Sequence, residues 1–207
     1  QEDIGQDLAI ALRQKGGVVE CIQVDEIERW GANPQHAPQL IREQLLSRLP
    51  PGNDKWRGVI HYLSTDLYCE ETRSSTDLYH ACGSVLHGIQ ALSDDGLVSS
   101  YTVLSRRAVR TSANDPVINP MQATAWGLIR SVIRERPELA IRIIDLDHED
   151  TTHQISEVVR ALTAPTKEKQ LALRSQKYLV PRVVKAQQSA GSGLSIKADH
   201  AYVLIGG

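Results

Sequence analysis

The fold class the sequence predicts is α/β: a truncated Rossmann-like, mostly parallel sheet with helices on both faces and a C-terminal hairpin. Three observations predict it. Short β-branched runs recur without polar alternation, as strands buried on both faces require. Segments with apolar residues at helical spacing fall between them, so helix and strand alternate. Beyond Pro165 the rhythm changes to two extended runs around a tight turn.

The elements follow in order. Ile4, Leu8, Ala11 and Leu12 share a helical face that stops at Gly16-Gly17, where a left-handed cap is accessible. Val18 to Val24 reads as a strand, and 25–37 as mostly loop. A helix from Pro38 through Ile41, Leu45 and Leu49 ends at Pro50-Pro51-Gly52. Gly58 to Leu63 is a strand. Asp77 is placed to cap a helix over Leu78, Ala81, Cys82, Val85, Leu86, Ile89 and Leu92, broken at Asp94-Asp95-Gly96. Val98 to Leu104 is a strand. Asn119 and Pro120 have the chemistry of an N-cap and first helical residue, and Trp126, Ile129, Val132 and Ile133 share the face that follows. Ile141 to Leu146 is a strand, and Ile155, Val158, Val159 and Leu162 mark a helix before Pro165. Leu171 to Arg174 and Tyr178 to Val183 form the hairpin, with Pro181 confining the second strand to an edge.

Composition narrows the function. With 23 Lys+Arg against 25 Asp+Glu the net charge is −2, so no global field draws in nucleic acid or anionic lipid. No apolar run is long enough to span a bilayer, so no membrane partner is expected and the expected setting is cytoplasmic. Cys21, Cys69 and Cys82 are odd in number and far apart, which favours free thiols. The expected organisation is a Rossmann-like subdomain over 1–185, a polar Gly/Ser-bearing linker over 186–200, and a strand over 201–207 that runs into Gly206-Gly207. Glycines after such a strand let backbone N–H groups approach a pyrophosphate, so Gly206 and Gly207 are candidate cofactor-binding residues, provided the chain continues into a Gly-rich loop. The strand that normally opens a parallel unit is missing before the first helix. We therefore expect a fragment reaching from just inside one α/β unit to the start of another.

Catalytic constellations are thin. A short-chain-type reductase needs a Tyr with a Lys four residues on to lower its pKa. The six tyrosines, at 62, 68, 79, 101, 178 and 202, are followed at that spacing by Asp66, Thr72, Gly83, Ser105, Arg182 and Gly206. Tyr178 with Arg182 comes nearest, and edge packing is the simpler reading. Gly191-Ser192-Gly193 follows a linker instead of a strand, which favours a connector over a phosphate loop. His80 and His87 share a helical face but Cys82 lies on another, so surface histidines and a core thiol are favoured over a metal site. Asp145, Asp147, Glu149 and Asp150 bridge a strand end and a helix start, where carboxylates complement the helix dipole more readily than they hold Mg²⁺. Ser64 has no flanking glycine to form a nucleophile elbow. Arg106, Arg107 and Arg110, and Arg130, Arg134 and Arg136, form two small basic groups that read as solvated faces or, failing that, as a dock for an acidic carrier surface.

The ordered series GVIHYLS (58–64), QATAWGLIRSVIRERPEL (122–139), IRIIDLD (141–147), LALRSQKYLVPRVV (171–184) and the final YVLIGG resembles the structural subdomain of a modular polyketide synthase ketoreductase over nearly the whole chain. The resemblance implies two Rossmann-like halves. The first binds no cofactor and braces the second, which holds NADPH and the Ser/Tyr/Lys set that reduces a β-ketoacyl thioester on an acyl carrier protein. None of the family's catalytic residues maps onto this sequence, so no catalytic residue and no metal is assigned. The implied partners are the adjacent catalytic subdomain, neighbouring synthase domains and an acyl carrier protein. Rival readings are a pseudo-ketoreductase strut beside a methyltransferase or enoyl reductase, a self-contained small-molecule α/β enzyme built on Gly206-Gly207 and the Asp145/Asp147 pair, and a carrier-recognition module using Arg106 or Arg134.

Overall fold

A computed structural model describes residues 4–22, 35–63, 79–92, 96–113, 115, 119–147, 151–164, 166–185 and 196–203. Helix α1 (Ile4–Gln14) ends where Gly16 takes φ +84°, the left-handed turn that glycine adopts without steric cost, and Gly17 N–H donates to Leu12 O. Helix α2 (Ala37–Ser47) carries a proline in its first turn. Strand β1 (Val59–Tyr62) comes next. A π-helical turn (Tyr79–Gly83) leads into α3 (Ser84–Leu92), so the helix expected from Asp77 starts with wider spacing, and Asp77 itself lies outside the described residues. Strand β2 (Tyr101–Arg106), helix α4 (Pro120–Glu135), strand β3 (Ile141–Leu146), helix α5 (Thr151–Thr163) and strands β4 (Gln170–Arg174) and β5 (Lys177–Leu179) complete the order.

The sheet runs β1-β2-β3-β4-β5, parallel through β4 and antiparallel at β5. Alternation along the strands divides the core. Val103, Ile141 and Ile143 meet Val85 and Ile89 of α3 and Ala125, Ile129 and Val132 of α4. Leu104, Ile144 and Leu146 face the other way, onto Ile4 and Leu8 of α1 and Val158 and Val159 of α5. Both faces of the sheet are therefore covered, as expected for a parallel sheet. Each such fully buried aliphatic side chain contributes about 1.5–3 kcal/mol relative to exposure. A third cluster joins Ala37, Ile41 and Leu45 of α2 to Ala91 and Leu97.

Three strand expectations differ from what is observed. Residues 18–22 form no strand: Val18 is exposed and Ile22 packs on the α2 cluster, because β propensity makes a strand only where a ladder partner is in reach. The hairpin's second strand stops at Leu179, since Pro181 lacks the N–H that would extend the ladder. Residues 201–203 are exposed and unladdered, and the rest of that expected strand lies outside the described residues. The turn is as expected in place but made by Ser175 and Gln176, both at positive φ (46° and 63°), the pairing of signs that suits a two-residue hairpin.

Candidate functional site

Open parallel sheets take ligands at the carboxyl ends of their strands. Here, among the described residues, side chains from β2, β3 and β4 converge at that end. Ser105 and Asp145 lie side by side in the β2–β3 register, both fully buried on the α4 face. Ser105 Oγ donates to Asp145 Oδ1 at 2.7 Å, and the Trp126 indole N–H of α4 donates to Ser105 Oγ at 2.9 Å. The Asp145 carboxylate also accepts the backbone N–H groups of Ala108 (2.8 Å) and Val109 (3.3 Å) and the Arg174 Nη2 donor (2.6 Å). Arg174 in turn donates to the Val109 and Asp145 carbonyls. A buried ion pair persists only when its remaining donors and acceptors are satisfied in this manner.

Beside it, Gln122, also fully buried, ties two strand ends together: its Oε1 accepts from Arg106 N–H at 2.5 Å and its Nε2 donates to Leu63 O at 3.2 Å. Asn119 caps α4, accepting from the Met121 and Gln122 N–H groups at 3.1 and 3.2 Å, and so fixes where Gln122 and Trp126 stand. The chain turns sharply at Arg107, φ +54°, which returns residues 108 and 109 over Asp145.

A second polar chain joins β1, β2 and α3. His61 Nδ1 and the Tyr101 hydroxyl are 2.7 Å apart, with Ser84 Oγ 3.3 Å from Nε2. Burial lowers the His61 pKa to about 4 and raises that of Tyr101. A neutral imidazole between two hydroxyls braces the strands. A shallow recess lined by Leu92, Val98, Tyr101, Leu139 and Ile141 sits at the amino ends of β2 and β3, away from the end where the fold takes ligands.

The sequence candidates are distributed as follows. Tyr178 and Arg182 do not act together: the Tyr178 hydroxyl donates to Glu157 O at 2.8 Å under the Arg160 guanidinium, while Arg182 pairs with Glu168. Asp145 does not serve the α5 dipole. It is on the α4 face, whereas α5 packs on the other, and it anchors the β2–α4 loop instead. Asp147 is half-buried, and Glu149 and Asp150 lie outside the described residues, as do Ser64, Gly191, Ser192, Gly193, Gly206 and Gly207. His87 is buried against Gln90, Cys82 and Cys21 are free thiols, and the side chain of His80 is outside the description. Among the described residues no three His, Cys, Asp or Glu side chains converge as a metal site. Arg110, Arg130 and Arg134 are exposed, and Arg136 pairs with Glu138.

An aromatic residue followed four positions later by a cation occurs at Trp126 and Arg130 as well as at Tyr178 and Arg182, and the sequence does not say that Trp126 is the one that meets a buried serine. The described residues do not fit a dinucleotide at this end of the sheet. The backbone amides of 108 and 109, which could face a pyrophosphate, already donate to the Asp145 carboxylate, whose charge would also repel one.

A mostly parallel sheet covered by helices on both faces defines a Rossmann-like α/β unit. More particularly, the chain belongs to the family described as the Rossmann fold domain of polyketide synthase extender module SpnB, whose model matches residues 29–183. It is 28% identical over 210 residues, 98% of this chain, to polyketide synthase GfsA of Streptomyces halstedii. It is 32% identical over 108 residues, 52% of this chain, to the pikromycin synthase component PikAII of Streptomyces venezuelae. The chain spans 3% of the length of each of these curated relatives. Among solved structures it is similar to a C2-type ketoreductase from a modular polyketide synthase, with TM-score 0.60 and 26% identity over 75% of this chain and 33% of that one. No helix among the described residues is long and apolar enough to cross a membrane.

Proposed function

We propose that this chain is a non-catalytic structural unit that stabilises the NADPH-binding half of a polyketide synthase ketoreductase acting on carrier-bound β-ketoacyl thioesters. The observation that carries the reading is the partner of Ser105. In a short-chain-type reductase the serine works with a tyrosine hydroxyl whose pKa is lowered by a lysine. Here the group that meets the serine is the Trp126 indole, a donor that cannot pass on a proton at working pH, with Arg130 at the lysine spacing. Neither the group that meets Ser105 nor the residue at the lysine spacing can relay a proton, and Ser105 and Asp145 are fully buried. Residues 1–185 form the unit in this reading, 186–200 connect it, and Gly206-Gly207 open the cofactor loop of the half that follows. The cytoplasm, where NADPH is made, is the setting proposed.

Titration of the chain with NADPH, followed by nucleotide fluorescence, tests this beside the same chain continued through the following half. Saturable binding is expected only for the longer protein. Micromolar binding by this chain, or its turnover of a model ketone, would overturn the reading and restore the self-contained enzyme.

A further inference from the structure

We propose that Arg106 is the grip of an oxyanion-binding site on the α1/α5 face of the sheet, taking a phosphate or carboxylate group against the edge of its guanidinium. Arg106 is the last residue of β2 and stands opposite Leu146 of β3. Strand alternation puts it on the face of Leu104, two residues earlier, and so on the side of the sheet away from Ser105 and Asp145. The sequence reads it as part of a solvated basic group. In the structure its Nε and Nη2 are instead buried, and neither has a hydrogen-bond partner.

The other strand arginines are satisfied by the fold itself. Arg174 of β4 meets the Asp145 carboxylate and backbone carbonyls. Arg142 of β3 lies on the same face as Arg106 but at the amino end of the sheet, where it donates to Thr102 Oγ1 at 2.9 Å and to the Ala161 and Leu162 carbonyls at 2.9 and 3.3 Å. Those carbonyls belong to the last turn of α5, so α5 lays its C-terminus over the amino end of the sheet and its N-terminus at the carboxyl end, the end of Arg106. A helix C-terminus offers acceptors. An N-terminus offers N–H donors and the positive end of the dipole, which cannot satisfy a guanidinium. The first turn of α5 carries no acidic residue, and no ion pair among the described residues includes Arg106.

The two unpartnered atoms define the ligand. Nε and Nη2 form the edge of a guanidinium that holds two oxygens of one group side-on, which fits a carboxylate or a phosphate and not a chloride ion. Buried charged donors without an acceptor are costly, so an oxyanion here removes a penalty that the fold leaves standing. Asp145 does not oppose it, being on the other face and paired with Arg174. The residue as a whole is only partly covered, which leaves its guanidinium reachable from solvent. The site is independent of the function proposed above, since it asks for one oxyanion and not for a nucleotide.

The test is thermal unfolding of the chain at constant ionic strength, with inorganic phosphate or acetate replacing chloride. Either oxyanion, at about ten times its dissociation constant, is expected to raise the midpoint by about 2–4 °C, and the larger response of the two names the group the site takes. Arg106→Met should lose the rise and, in chloride alone, melt at or above the unsubstituted chain, because an unmet buried charge has gone. Arg106→Lys keeps the charge without the fork and should retain only part of the rise. Arg110→Met, at an exposed arginine nearby in the chain, should retain all of it. The proposal is overturned if neither oxyanion raises the midpoint or if Arg106→Met responds as the unsubstituted chain does. It is equally overturned if Arg106→Met melts lower in chloride, since the guanidinium would then serve the fold itself.

Discussion

Removing the Asp145 charge would leave the Arg174 guanidinium, only 13% exposed, with Asp115 at 3.9 Å as its remaining carboxylate and would weaken the bonds that hold the Ala108 and Val109 amides. Breaking one partner of a buried pair costs about 3–5 kcal/mol. Asp145→Asn keeps the shape and one acceptor oxygen, so urea unfolding should show a loss near the lower end of that range. A loss of less than about 1 kcal/mol, the value of an ordinary hydrogen bond, would mean that the pair is hydrated in solution. His61 makes a separate prediction with a definite sign. Its folded pKa of about 4 lies below the free value of 6.5, so as pH falls the unfolded chain takes a proton first. Its contribution is whole above pH 6.5, declines between 6.5 and 4, and levels off below 4, amounting to at most about 3 kcal/mol. His61→Gln should flatten the stability profile within that window, and an unchanged slope would show that the ring is not held neutral.

At the scale of the element, α3 shows how one residue sets the distance between helix and sheet. A Cβ on Gly88 would collide with the Tyr101 hydroxyl oxygen. That hydroxyl cannot swing aside cheaply, because it is held by His61. Alanine favours a helix interior by about 1 kcal/mol over glycine, whereas overpacking costs about 1–3 kcal/mol. Gly88→Ala should therefore destabilise on balance, and a rise in the unfolding midpoint would mean that the Tyr101–His61 contact yields easily. Most elements were legible in the sequence for local reasons. Asn119-Pro120 has the chemistry of a helix start, Gly16-Gly17 that of a helix end, and IRIIDL can only be a doubly buried strand. The strand expected at 18–24 was not found over 18–22, because a strand depends on its neighbour and the neighbour is not written in the strand's own residues.

Across the whole molecule, the candidate site was much less legible than the fold. Ser105, Trp126, Asp145 and Arg174 come from β2, α4, β3 and β4, and each has an ordinary local role when read alone. Asp145 is the clearest case: its place in the chain suggested a helix-dipole carboxylate, yet the pleat turns it to the opposite face of the sheet. Among the described residues the same convergence ties the carboxyl ends of β2, β3 and β4 to one another.

What the sequence determined by itself was the order and type of the main helices and strands, the burial of β2 and β3, and the lack of a Tyr–Lys pair, since all of these depend on residue type and on spacing within about one element. Only the tertiary structure decided that Trp126 answers Ser105, that Asp145 binds a loop and not a helix, and that Leu179 and Val183 are left facing outward. Those outcomes depend on distances between residues tens of positions apart, which the packing of the sheet sets and no local pattern encodes.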